Sequence, residues 1–167
     1  MELNFILKLA LKLTYSDKMK RAIRLIATLF LFSFTAHAQT HNKELATAVL
    51  KNNLAAAETL LTGGANPNEV IEVVPGFPTT YLITAATNGS LDLVKVLLKH
   101  KAQVNQPDGF KATALMSAAG KGNKAIVELL LASGADAKAK DDDGKDALSL
   151  AKEGGSKETI ALLEKAK

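Results

Sequence analysis

The chain has 167 residues, room for about one domain at the usual roughly 100 to 200 residues each, and carries 21 Lys and Arg against 17 Asp and Glu, a formal charge of +4. It has no cysteine, which excludes a disulfide framework and a thiolate metal site. The basic excess belongs to residues 1–38, which hold six cations and two anions, so that fifteen of each remain from Gln39 onward. A neutral remainder has no surplus cations with which to neutralise phosphates, and nucleic acid is not an expected partner.

Taken in chain order, residues 1–18 have no evident role and are read as an over-extended start or a long leading region. From Met19 the chain reads as an export signal. Lys20, Arg21 and Arg24 precede an apolar run from Leu25 to Phe34, and Ala36-His37-Ala38 supplies small residues where a signal peptidase reads them. This run is far short of the roughly 20 residues that span a bilayer as a helix. The expectation is cleavage between Ala38 and Gln39, leaving a mature protein with no membrane anchor; a retained anchor or a buried helix is the other reading of the same segment.

A repeat occupies the rest. Leu82, Leu115 and Leu148 recur at a step of thirty-three, and Ala85, Ala118 and Ala151 keep the same step. Later in each unit come Val94 to Leu98, Ile126 to Leu131 and Ile160 to Leu163, and Ala102 and Ala135 close two of the units. A weaker copy starts at Leu45 and ends Gly64-Ala65-Asn66-Pro67-Asn68. Its offset from the next, measured at Leu45 to Leu82 and at Ala65 to Ala102, is four longer than the period, which leaves four extra residues between the first two units. Such a period marks a solenoid whose units bury their apolar faces only by stacking.

The unit running from Thr113-Ala114-Leu115-Met116-Ser117-Ala118-Ala119-Gly120-Lys121-Gly122 through Val127 and Leu130-Leu131 to Gly134-Ala135-Asp136 resembles the ankyrin repeat, and Thr80 to Gly89 followed by Ala102 to Asn105 is a second copy. The resemblance covers Lys43 to Lys167. It implies an all-α, ankyrin-repeat solenoid of about four helix-turn-helix repeats, near 42–68, 78–105, 111–138 and 144–167, joined by β-hairpin-like finger loops. It also implies a binding module that is monomeric alone and needs no cofactor. Where the family pattern has proline after the cap, this chain has Tyr81, Ala114 and Ala147; where it has histidine, this chain has Ile83, Met116 and Ser149. Loss of the hydrogen bonds usually attributed to that histidine predicts a less rigid stack.

Local chemistry agrees with a helix pair per unit. Thr80, Thr113 and Asp146 are good N-caps. Gly89, Gly122 and Gly155 suit the left-handed turn that ends a first helix, as Gly64 and Gly134 suit the end of a second. Lys101 stands where that second glycine belongs and is expected to take a positive φ at a cost of about 1 kcal/mol. The charged residues around Lys43 and from Lys157 to Lys165 read as polar caps on the two ends.

No catalytic constellation is evident. Past the signal only His41 and His100 remain as histidines. His100 is expected at the C-terminal end of a helix, as a cation favoured by the dipole rather than as a base. Asp141-Asp142-Asp143 lacks the spacing and final glutamate of an EF-hand loop. No phosphate loop, dinucleotide fingerprint or nucleophile elbow is present, so no catalytic, cofactor or metal residue is assigned.

The expected partner is a protein, held on the fingers and the concave face. The only aromatic residues after the signal are Phe77, Tyr81 and Phe110, none expected in the repeat core. Phe77 and Phe110 are equivalent positions one period apart, each three before a cap threonine, which places them on adjacent fingers about 10 Å apart by ordinary helix spacing, either as anchors for a partner or packed against each other or the next finger to steady the loops. Val70-Ile71-Glu72-Val73-Val74 followed by Pro75-Gly76 reads as a hairpin. The candidate contact residues are therefore Phe77, Tyr81, Phe110, Val73, Val74 and Lys111. The alternative, implied by family analogy alone, is a structural or protective partner of an exported enzyme, for example in oxidative-stress defence.

Overall fold

In a computed structural model, which describes residues 42–154 and 156–166, the repeat period becomes four pairs of short helices. The export signal, the segment before it, His41 and Gly155 lie outside the described residues. The first pair is α1 (42–50) and α2 (Leu54–Thr62). A hairpin of β1 (Val70–Val74) and β2 (Phe77–Thr80) follows. The remaining pairs are α3 (Tyr81–Thr87) with α4 (Leu91–Lys99), α5 (Ala114–Gly120) with α6 (Lys124–Ala132), and α7 (Ala147–Gly154) with α8 (Lys157–Lys165). Helices of seven to nine residues are too short to persist in water alone, where about 12 to 15 residues are marginal. Their stability comes from stacking.

The stack has two layers. First helices pack on first helices, α3 on α5 and α5 on α7, while second helices pack on second helices, α2 on α4, α4 on α6 and α6 on α8. Alanine makes the first layer close: Ala85, Ala86, Ala118, Ala119 and Ala151 are fully buried. At Gly154 the approach is tighter still, since an added Cβ would overlap the carbonyl oxygen of Gly120 on the neighbouring repeat. The second layer buries branched side chains, among them Leu93, Leu97, Ile126, Leu130 and Leu163, while Leu115 and Met116 are fully buried on the first.

The predicted caps form. Thr80 Oγ1 accepts from the Ile83 amide at 3.2 Å and Asp146 Oδ1 from the Ser149 amide at 2.8 Å. At Thr113 the cap is reciprocal, because Oγ1 accepts from the Met116 amide at 3.4 Å while the Met116 sulfur accepts from the Thr113 amide at 3.4 Å. Lys101 has φ +69, in register with Gly64 at +96 and Gly134 at +88, so the expected left-handed lysine is present.

One expectation changes, and one set of ties between repeats goes beyond what was expected. Tyr81 is not a surface aromatic: it is fully buried, and its hydroxyl donates to the Asn42 carbonyl at 2.8 Å. The position that holds proline in the family pattern faces the preceding repeat, so a large ring with a polar tip fills the gap between α1 and α3 and satisfies a carbonyl at the start of α1. The stack is also not left without polar ties. Asn68 Oδ1 accepts from the Gln103 amide at 2.7 Å and Asn105 Oδ1 from the Asp136 amide at 2.9 Å, each joining one repeat to the next. The same Asn68 and Asn105 amides donate to the Lys101 and Gly134 carbonyls at 3.2 and 3.0 Å. Within the first repeat Asn42 takes the same part, its Oδ1 accepting from the Asn66 amide at 2.9 Å.

Candidate partner-binding edge

The fingers differ in construction. In the first, four residues more than the period requires let the β-branched run from Val70 pair with Phe77–Thr80 around Gly76, which has φ +81. The register runs Val70 to Thr80, Ile71 to Thr79, Glu72 to Pro78 and Val74 to Phe77, and Val73 is the extra residue of a bulge. The next two fingers have no strands and close on an aspartate. Asp108 Oδ1 accepts from the Phe110 and Ala112 amides at 2.8 and 2.9 Å, and Asp141 Oδ1 from the Lys145 amide at 2.8 Å. The two aspartates are equivalent positions one period apart, as are Lys111 and Gly144, and both of these take positive φ, +59 and +75. Lys111 therefore holds a conformation for which its equivalent supplies glycine.

Successive fingers are joined edge to edge. The Gly109 amide donates to the Pro78 carbonyl at 3.0 Å, and the Asp142 amide to the Phe110 carbonyl at 3.0 Å. Lys111 Nζ meets Asp142 Oδ1 at 2.7 Å, and this hydrogen bond and charge raise the lysine's pKa above its ordinary value. The Phe77 and Phe110 rings stack with centroids 5.4 Å apart, closer than ordinary helix spacing predicts, because the hairpin leans onto the second finger. Each ring nonetheless leaves about half of itself in solvent, 49% and 52%. With Val73 and Val74, about half exposed at the end of the strand that pairs with Phe77, they form an apolar strip on the finger edge.

Of the predicted contact residues, the structure thus brings Phe77, Phe110, Val73, Val74 and Lys111 onto this edge and removes Tyr81 to the core. Val70, exposed as well, pairs with Thr80 at the base of the hairpin. Elsewhere, His100 stands at the C-terminal end of α4 as expected and caps it through its backbone amide, while its Nε2 is buried with no hydrogen-bond partner among the described residues. The described residues contain no cluster of acidic or histidine side chains able to hold a metal ion, and no helix long and apolar enough to cross a membrane. A shallow groove of about 890 Å³ crosses the outer face of α1 and α2, lined by Lys43, Thr47, Ala48, Ala56 and Leu60 among others.

Stacked helix pairs with fingers projecting from one edge define a repeat solenoid of the interaction-module class. The family model for ankyrin repeats matches residues 45–141 in three copies, and the chain belongs to the ankyrin-repeat family. The fourth helix pair, α7 and α8, begins beyond that match. Ankyrin repeats are generally protein–protein interaction modules. No curated protein matches the chain.

Proposed function

We propose that the chain is an exported, non-catalytic adaptor that binds one protein partner along the finger edge. The observation that carries this reading is the strip of Val73, Val74, Phe77 and Phe110, half-exposed apolar side chains held on fingers that are hydrogen-bonded to one another. Exposed apolar residues gathered on one edge are a typical interface, and aromatic residues at its centre are typical anchors. Lys111 and Asp142 supply a polar rim. Export rests on the sequence of residues 19–38, and N-terminal sequencing of the protein recovered outside the cytoplasm tests it: the reading requires Gln39 as the first residue.

The test of the edge is affinity capture of the partner with the purified protein, then a titration of that partner against the Phe77→Ala/Phe110→Ala variant. Truncation of two anchors weakens binding by at least about 2 kcal/mol each. It also costs stability, about 1 kcal/mol for each half-buried ring and about 1 kcal/mol for their contact. The titration is therefore run below the variant's melting transition. Unchanged affinity in the folded variant removes this edge as the site.

A further inference from the structure

The hairpin that carries the strip has one edge closed and one open. On β2 the carbonyl of Pro78 accepts from Gly109 of the second finger, and proline has no N–H to give. Pro78 stands opposite Glu72, so this pair exchanges no ladder bonds and is the non-hydrogen-bonded kind. It follows that the backbone N–H and C=O of Glu72 point away from β2, and by the two-residue alternation those of Val70 do too. Among the described residues the sheet has two strands only, and none pairs with this outer side of β1.

Proteins usually blunt such an edge with lysine, proline or a covering loop. Here β1 reads Val-Ile-Glu-Val-Val, with neither lysine nor proline, and its valines are about half exposed. We infer that the outer edge of β1 accepts an extended segment of the partner as a third, added strand, whose apolar residues flank a lysine or arginine set against Glu72; the inference rests on the finger edge being the binding surface. Charge selects this occupant. A second copy of the chain pairing β1 with β1 about a two-fold axis would set the two Glu72 carboxylates opposite or diagonal to each other, an unfavourable pairing, whereas a cation there is favourable. Main-chain bonds to Val70 and Glu72 would supply affinity, and the bulged Val73 together with Val74 and the Phe77 ring would read side chains of the added strand.

The test uses the isotopically labelled protein and a capped nonapeptide of alternating threonine and valine with a central lysine. The expected result is a saturable shift of the Val70 and Glu72 amide resonances with slowed exchange of both protons. Glutamate in place of the peptide lysine weakens binding about five- to tenfold. Glu72→Gln keeps binding but levels that preference. Glu72→Pro, which removes the outward N–H together with the carboxylate and its 3.4 Å bond from the Gly76 amide, keeps the melting temperature within the native range and loses the peptide that Glu72→Gln still binds. Amides of Val70 and Glu72 that do not move at about 1 mM peptide, or a Glu72→Pro protein that binds as the native one does, overturn strand addition. A captured partner separates the two levels of the argument. Loss of its binding in Phe77→Ala/Phe110→Ala but not in Glu72→Pro leaves the finger edge standing and strand addition refuted; loss in neither removes both.

Discussion

Tyr81 offers a quantitative test of how the first repeat is tied to the second. Burial, and after it the charge of Glu69, pushes the phenol up from 10.0 to about 12. The raised value means that the fold favours the neutral ring, so the associated stability is fully present below pH 10 and is lost as pH rises through about 12. With allowance for solvent screening at the part-buried hydroxyl, a shift of that size corresponds to stability on the order of 2 kcal/mol. Replacing Tyr81 by Phe removes the hydroxyl that donates to the Asn42 carbonyl at 2.8 Å, one of the two bonds that a carbonyl at the start of α1 can accept. Near neutral pH the loss of this hydrogen bond costs about 0.5 to 1.5 kcal/mol. The two proteins differ by that hydroxyl alone, so the difference between them isolates the phenol. Urea titrations of native and Tyr81→Phe protein, at steps from about pH 8 to 12, should show the native advantage constant to about pH 10 and then shrinking towards zero. A difference that stays constant through about pH 12 refutes the buried placement of the hydroxyl.

Three further outcomes follow from the packing. Leu115→Ala, in the middle of the first-helix layer and fully buried, should lower unfolding free energy by about 2 to 5 kcal/mol in a denaturant titration. Gly154→Ala should be destabilising in spite of alanine's better helix propensity, because its Cβ meets the Gly120 carbonyl; a raised melting temperature would mean that α5 and α7 are not in such close contact. Lys101→Gly should raise stability by up to about 1 kcal/mol in the same titration, since it relieves a positive φ and leaves intact the backbone carbonyl that Asn68 uses.

The helix pairs were legible in the sequence because period, caps and turn glycines agree at every level, from Thr80 and Thr113 to the left-handed Lys101. The finger edge was legible in composition but not in geometry. The repeat step puts Phe77 and Phe110 on neighbouring fingers, yet whether the rings stand apart or stack depends on how far the hairpin leans, which is set by the Gly109 to Pro78 bond between two fingers. The placement of Tyr81 is hidden for a related reason. A residue at the first turn of a short helix can face either solvent or the preceding repeat, and only the carbonyl of Asn42, in the repeat before, decides it. The asparagine rungs were visible as letters, Asn68 and Asn105, and silent as chemistry until their partners in the next unit were known.

Those rungs have a consequence for the order in which the molecule comes apart. Asn68 and Asn105 fasten the first two junctions between closing segments, but the position equivalent to Asn105 in the next unit is Lys138, whose ammonium cannot accept from a backbone amide. The terminal helix pair is held to its neighbour without this fastening. In a linear array each unit feels only the units beside it, so opening is a zipper that starts at its weakest end. This difference in fastening predicts a polarity along the length, with α7 and α8 opening before the junction that carries the hairpin between the first and second repeats, which Tyr81 and both side-chain bonds of Asn68 hold.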